Sequence, residues 1–304
     1  MPAASARAAE IKDANVRYHD VAAATYDAKW GIDLGKVGQA QVRGKLTKAL
    51  GRQIARPFCD ALEVGAGTGY FTLNLLQAGL IERATPTDIS AGMLRRLDES
   101  AARHGLEVAT AEAEAAELPF ADSSFDLVFG HAVLHHVPDL ERAFGEFARV
   151  LRPGGAVAFC GEPSRYGDLV ASLPKRVGTL VAPGWRLALG AASANGAGRG
   201  RPTAHELESE VDVHAFEPGE LRRLLAGAGF TDVRVAGEEL LANGFGWLCR
   251  TLESTADPDH VPMVWRNFAF RGYLALQRLD AALLEPRLPA ALFYNLVLSG
   301  RKGP

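Results

Sequence analysis

Five times between Asp60 and about Arg165 a short apolar run is followed by a stretch of helical periodicity, and this alternation narrows the fold more than any other feature. Ala61-Leu62-Glu63-Val64, Ala84-Thr85-Pro86-Thr87-Asp88, Glu107-Val108-Ala109-Thr110, Phe125-Asp126-Leu127-Val128-Phe129 and Ala156-Val157-Ala158-Phe159-Cys160 read as successive strands. Short apolar runs alternating with helical patterns are the signature of parallel strands joined by crossover helices. The amphipathic stretch Leu140 to Leu151 ends in Arg152-Pro153-Gly154-Gly155, which reads as a helix stop followed by a turn.

The rest of the chain adds to this core. Residues 8 to 50 place apolar side chains at helical spacing, and residues 164 to 190 form a second helical insertion in which Pro174 and Pro183 limit any continuous helix. The small-residue run from Gly190 to Gly200 reads as a linker. A helix at Gly219 to Ala228, a strand at Val233 to Val235, further helices to about Leu284 and a last strand near Tyr294 follow. The expected division is a helical cap over 1–50, a ligand-binding core over 51–165, a helical insertion and flexible linker over 166–210, and the C-terminal part of the core with additional helices over 211–304. A net charge of -3 gives no global field for nucleic acid. The three cysteines form no CxxC pair, which argues against a disulfide framework or a thiolate zinc site. No run reaches the ~18 apolar residues of a membrane-spanning helix, so a cytoplasmic location is expected.

The first strand runs straight into Gly65-Ala66-Gly67-Thr68-Gly69, with a helix from near Tyr70. Glycines in such a turn let the backbone pass close to a ligand and present amide donors. The spacing is GxGxG and not GxGxxG, which disfavours a pyrophosphate cradle and with it a nicotinamide dehydrogenase. Asp88 ends the second strand 23 residues after Gly65, where a carboxylate can accept both hydroxyls of a ribose. It could also cap the next helix, as could Ser90. Met93, one turn on, could pack on a base or simply fill the core.

These residues resemble the class I S-adenosylmethionine (SAM)-dependent methyltransferases, in particular the small-molecule and lipid group that includes the ubiquinone and menaquinone C-methyltransferases. Leu118-Pro119-Phe120-Ala121-Asp122, Leu134-His135-His136-Val137, Leu151-Arg152-Pro153-Gly154-Gly155 and Ala228-Gly229-Phe230 follow in the family's order, and the resemblance covers residues 60 to 236. It implies a Rossmann-like, doubly wound, mostly parallel seven-stranded α/β sheet with an antiparallel last strand and helical cap insertions. SAM would be the cofactor, S-adenosylhomocysteine the product, and a small molecule the acceptor. By the same resemblance Gly65, Ala66 and Gly67 lie under the methionine moiety and Glu63 helps orient the cofactor. Asp88 takes the ribose and Glu114-Ala115 forms the adenine site; Ile89 and Met93, shortly after Asp88 in the chain, are further cofactor-binding candidates. The family usually has aspartate where this chain has Glu114, with Glu112 as a competing register. Tyr26, in the string Tyr18 to Asp27, matches an aromatic that closes over the methionine end; it could instead anchor the cap.

His131 and His135 are the candidate catalytic residues, His131 beside the cofactor at the end of the fourth strand, either one able to serve as a base near neutral pH. With His136 they also invite a metal reading, since positions i and i+4 share a helix face, but no glutamate lies between them and no third ligand is evident, so no metal is expected. No nucleophile-base-orienter set and no serine elbow occur, and methyl transfer requires neither. From Ser164 to Thr203 the chain carries Arg165, Lys175, Arg176, Arg186, Arg199 and Arg201 against the single acid Asp168, interleaved with Leu169, Leu173, Val177, Leu180, Val181 and Leu187. Residues 165–201 could lie on an anionic membrane surface, line an apolar pocket, or be an ordinary cap helix with a solvated basic face. With the C-terminal aromatics they tilt the expected acceptor toward an apolar or lipid-like molecule. The competing reading is a non-catalytic SAM-binding regulatory or scaffold protein.

Overall fold

The computed structural model describes residues 11–20, 23, 26–27, 31–51, 54, 56–193 and 214–303 of the 304-residue chain. The expected linker beyond residue 193, with Arg199 and Arg201, lies outside the described residues. Seven strands, β1 (Phe58–Val64), β2 (Ile81–Asp88), β3 (Ala111–Glu112), β4 (Phe125–His131), β5 (Leu151–Pro163), β6 (Phe230–Glu238) and β7 (Asn295–Lys302), form one sheet in the order β3-β2-β1-β4-β5-β7-β6. β1 pairs in parallel with β2 and β4, β2 with β3, and β4 with β5, while the last strand is antiparallel. The chain builds outward from β1 to β3, then returns to lay β4 on the other side of β1. In such a sheet the crevice for a ligand opens beyond the carboxyl ends of the strands at that reversal.

The chain divides into two compact units. The first comprises the described residues within Met1–Glu162, Ala204–Val235 and Val297–Pro304. Its helices are residues 11–20, α1 (Lys36–Leu50), α2 (Tyr70–Gln77), α3 (Ala91–Arg103) and α4 (Leu140–Val150), with α6 (Pro218–Gly227) later in the chain. α4 shows why such segments are helical. Leu140, Ala143, Phe144, Phe147 and Val150 recur at helical spacing and are buried, and Asp139 caps the N-terminus by accepting from the Arg142 amide at 3.0 Å. Phe144 and Phe147 meet Phe159 of β5 in the core. The string Leu118 to Asp122 is held by Arg149 of α4, whose guanidinium donates to the carbonyls of Leu118 (3.0 Å) and Phe120 (2.7 Å) and to Asp122 (2.8 Å).

The second unit comprises the described residues within Pro163–Thr203 and Ala236–Leu296 and is helical, built on α5 (Arg165–Leu189), α7 (Leu240–Ser254) and α8 (Met263–Leu279). Buried Asp280 accepts from the amides of Leu241 (3.0 Å) and Ala242 (2.9 Å), supplying two donors at the start of α7 with partners.

Three expectations are corrected. The third strand is Ala111–Glu112, not 107–110, because only Thr87 and Asp88 of β2 offer it a ladder. Arg152-Pro153-Gly154-Gly155 is no turn between elements; it lies inside β5, where the register steps from Phe125 opposite Leu151 to Leu127 opposite Ala156 and the four residues bulge against Asp126. α5 is one helix of 25 residues through both Pro174 and Pro183. Each proline removes one backbone donor, and packing compensates: small Ala171, Gly178 and Ala182 are buried, and a Cβ on Gly178 would stand 2.9 Å from Thr251 of α7.

Candidate functional site

β1 ends at Val64 and the chain turns at once through Gly65 (φ +65°) and Gly67 (φ +54°), both in the left-handed region. A Cβ on Gly65 would stand 2.2 Å from Val133 Cγ2, so only glycine lets the turn lie against the loop after β4. A Cβ on Gly67 would meet nothing within 4 Å, because Gly67 borders an open cleft. Asp88, the last residue of β2, points into this turn: its carboxylate accepts from the Gly67 amide at 2.8 Å and from the Ser90 amide at 2.9 Å. Capping of α3 falls instead to Ser90, which accepts from the Met93 amide at 3.1 Å. Burial pushes the Asp88 carboxyl above the usual carboxylate range, opposed by the charge of His19 and by the amides of Ser90, Gly67 and Ile89.

The cleft has an empty volume of about 790 Å³, open space included, and lies wholly within the first unit. Of the residues expected from sequence, Tyr26, Gly65, Gly67, Asp88, Ile89, Glu114, Ala115 and His131 line it. Glu112, the competing register, is not among the lining residues, whereas Glu114 is. Three expected cofactor residues sit behind the wall. Ala66 is buried in a cluster with Leu73 and Leu97, and Met93 is fully buried behind Tyr26. Glu63 is turned to the first turn of α2, where its carboxylate accepts from the Thr72 amide at 3.1 Å and from the Thr72 hydroxyl.

Burial raises the Glu63 carboxyl to about 8, against the opposing effect of those Thr72 bonds. Above pH 4.5 the unfolded chain has lost this proton while the folded one keeps it, so stability declines as pH rises toward 8 and levels off beyond. Glu63→Gln keeps an acceptor for Thr72 and removes the titration. Its melting temperature should exceed that of the wild type by a margin that widens between about pH 5 and 8, as thermal denaturation across that range would reveal.

The two histidines singled out from sequence have different surroundings. His131 ends β4 in the cleft wall, stacked on Phe71 with ring centroids 4.7 Å apart. His135 lies in the 3-10 turn Leu134–His136, so the two share no helix face, and its Nδ1 is 2.9 Å from buried Glu162. The same carboxylate accepts from the amides of Val133 (3.0 Å), Leu134 (3.1 Å) and His135 (3.2 Å), fixing the loop that borders the cleft. Among the described residues, no group of three or more His, Cys, Asp or Glu is placed to hold a metal ion.

Sequence reasoning expected a helical cap over 1–50 but singled out none of the residues of 11–20 for the site. Lys12, Asn15 and His19 on this helix all line the cleft, as does His136. The helix is tied across the opening: Lys12 Nζ pairs with Glu114 at 2.5 Å, and Asp20 accepts from the Ser90 hydroxyl (2.6 Å) and the Gly92 amide (3.0 Å). His19 and Asp20 stand beside Tyr18 in the string that drew attention to Tyr26. Glu162 had a positional signal too, since β5 ends beside it on the ligand side of the sheet.

A glycine turn after β1 and a carboxylate ending β2, meeting at the reversal of a doubly wound sheet, define an α/β nucleoside-binding protein. The buried Asp88 carboxylate fits a ribose diol, and the open space above Gly67 fits a ligand passing over the turn. Residues 62–159 match the methyltransferase domain family. The chain is 32% identical over 194 residues to a malonyl-acyl-carrier-protein O-methyltransferase of Methylococcus capsulatus, covering 64% of each chain. It is 31% identical over 219 residues to the enzyme of that name from Geobacter sulfurreducens, covering 71% of this chain and 70% of the other. Among solved structures, phosphoethanolamine N-methyltransferase 2 of Haemonchus contortus in complex with SAM is similar in fold, with a TM-score of 0.57 at 16% identity over 94% of this chain and 57% of that one. The chain thus spans about two thirds of the length of these curated relatives, 64% and 70%. It belongs to the class I SAM-dependent methyltransferases, whose cofactor is S-adenosylmethionine.

Proposed function

We propose that this chain transfers the methyl group of SAM to oxygen or carbon of a small acceptor that is apolar or lipid-like. The observation that carries the reading is the convergence of Asp88 on the amide of Gly67 at the mouth of the cleft, 2.8 Å apart. Asp88 would accept from the ribose hydroxyls, with Ile89 beside it. Glu114 would accept from the adenine amino group, and Gly65 and Gly67 would let the methionine portion lie against the backbone. When bound, SAM supplies a methyl group on a sulfonium, and transfer by in-line displacement needs positioning and exclusion of water more than covalent catalysis. Tyr26 and the helix at 11–20 supply that exclusion. His131, in the cleft wall, would take a proton from an acceptor O–H or C–H.

The acceptor class is supported by the cleft wall, where Val64, Ala113, Val133, Val137 and Pro138 supply apolar surface, and by relatives named for a carrier-linked malonyl group. The test is incubation of the full chain with methyl-labelled SAM and a panel of acyl carboxylates, carrier-linked acyl groups, phenols, quinols and small polar amines. Label should pass to an acceptor with an apolar body, with stoichiometric release of S-adenosylhomocysteine. Transfer confined to strongly polar amines would overturn the acceptor assignment. Tight binding of S-adenosylhomocysteine with turnover of none of these compounds would favour the non-catalytic reading.

A further inference from the structure

α5 is amphipathic in the reverse of the usual sense. The side chains it buries are small, Ala171 and Ala182, with Gly167 and Gly178 on the same side. Its large aliphatic residues face out: Leu169 is 69% exposed, Leu173 66%, Leu180 81% and Leu187 85%, with Val170, Val177 and Val181 also exposed. Together with Tyr166 they are spaced three or four apart and occupy one stripe, about a third of the circumference, along a helix about 37 Å long. An ordinary surface helix turns such a stripe inward, and an apolar patch of this extent on the outside marks a contact surface.

Charge identifies what the stripe meets. α5 and α8 together carry Arg165, Lys175, Arg176, Arg186, Arg266, Arg271 and Arg278, against Asp168 as the one acid. Lys175 and Arg186 are turned onto the unit's own helices, Lys175 over the ring of Trp247 at 4.0 Å and Arg186 toward the Thr255 carbonyl at 3.4 Å. Arg165 and Arg176 are exposed along one edge of the stripe. In the same unit α8 buries no side chain and exposes Met263, Val264, Phe268 and Phe270. A second copy seated on the stripe would bring up the same Arg165 and Arg176 with Asp168 as the one acid of α5, whereas an anionic lipid surface complements both those cations and the aliphatic stripe. Among the described residues no helix is long and apolar enough to cross a membrane, which fits a helix lying in the interface and not spanning it.

We propose that α5 docks this protein on an anionic lipid bilayer, its leucine-valine stripe entering the acyl boundary and Arg165 and Arg176 meeting lipid phosphates. The proposal is independent of the acceptor assigned above, since it concerns where the enzyme sits and not what it methylates. The test is co-sedimentation of the full chain with phosphatidylcholine vesicles with and without phosphatidylglycerol. Wild type should bind the anionic vesicles, and added salt should weaken it. The pair Leu180→Glu and Leu187→Glu, at positions too exposed to carry folding, should lower the partition by about tenfold or more, and Arg176→Glu should lower it by less. S-adenosylhomocysteine affinity and melting temperature should be unchanged in both. No vesicle binding by the wild type, or binding that survives the double substitution, would overturn the proposal. So would a dimer in light scattering that the double substitution converts to monomer, since the stripe would then be a subunit interface.

Discussion

Replacement of Asp88 by alanine is expected to weaken S-adenosylhomocysteine binding by about two orders of magnitude, read by calorimetric titration. The carboxylate sits at the end of β2, is 6% exposed and is aimed into the cleft. Two ribose hydroxyls donating to a charged acceptor contribute about 1.5–3 kcal/mol each, of which a hundredfold loss is a conservative share. Folding should suffer less. Alanine leaves the amides of Gly67 and Ser90 without this acceptor, a destabilising change, but it also removes a carboxylate that burial has already pushed above its ordinary range. The two effects oppose each other, so the melting temperature should move by only a few degrees while the binding isotherm collapses. An unchanged affinity in a folded variant would remove Asp88 from the site.

Substitution of Gly67 by valine should abolish detectable binding of the same ligand. The backbone there has φ +54°, a conformation that costs a β-branched residue more than the ~1–2 kcal/mol paid by an ordinary L-residue. The new side chain would point into open space, with no protein atom within 4 Å of its Cβ. The damage should therefore fall mainly on the ligand, which must share that space, with a smaller loss of stability from backbone strain. Alanine at this position should give an intermediate affinity. A valine variant that folds and binds like the wild type would mean that nothing passes over this turn.

Much of the sheet is legible in the sequence because β4, β5 and the second half of β1 are buried at most positions and read as short apolar runs between punctuated turns. The third strand is not, since two residues of ladder carry no periodicity, and the run at 107–110 is only its approach. The bulge inside β5 misleads for a related reason: proline and two glycines signal a turn locally, and only the neighbouring strand reveals that the chain re-enters the ladder. The unbroken α5 runs against the local preference of its prolines because packing of its small-residue face outweighs two missing hydrogen bonds.

At the site, several of the expected residues that line the cleft follow from position on the sheet: the turn after β1, the acid ending β2 and the histidine ending β4. What the sequence leaves hidden depends on long-range partners. Glu63 turns away from the cleft because Thr72 offers it two donors, and His135 turns to Glu162, which is 27 residues distant. The covering helix at 11–20 is likewise fixed by contacts to Ser90, Gly92 and Glu114 that no local pattern announces.

The most direct test is a crystal structure of the full chain soaked with S-adenosylhomocysteine. The ribose hydroxyls should lie within about 2.6–3.2 Å of the Asp88 carboxylate, with the adenine toward Glu114 and the homocysteine portion over Gly65 and Gly67. A ribose bound elsewhere, or a cleft closed at Asp88 with the ligand excluded at saturating concentration, would contradict the assignment of this site.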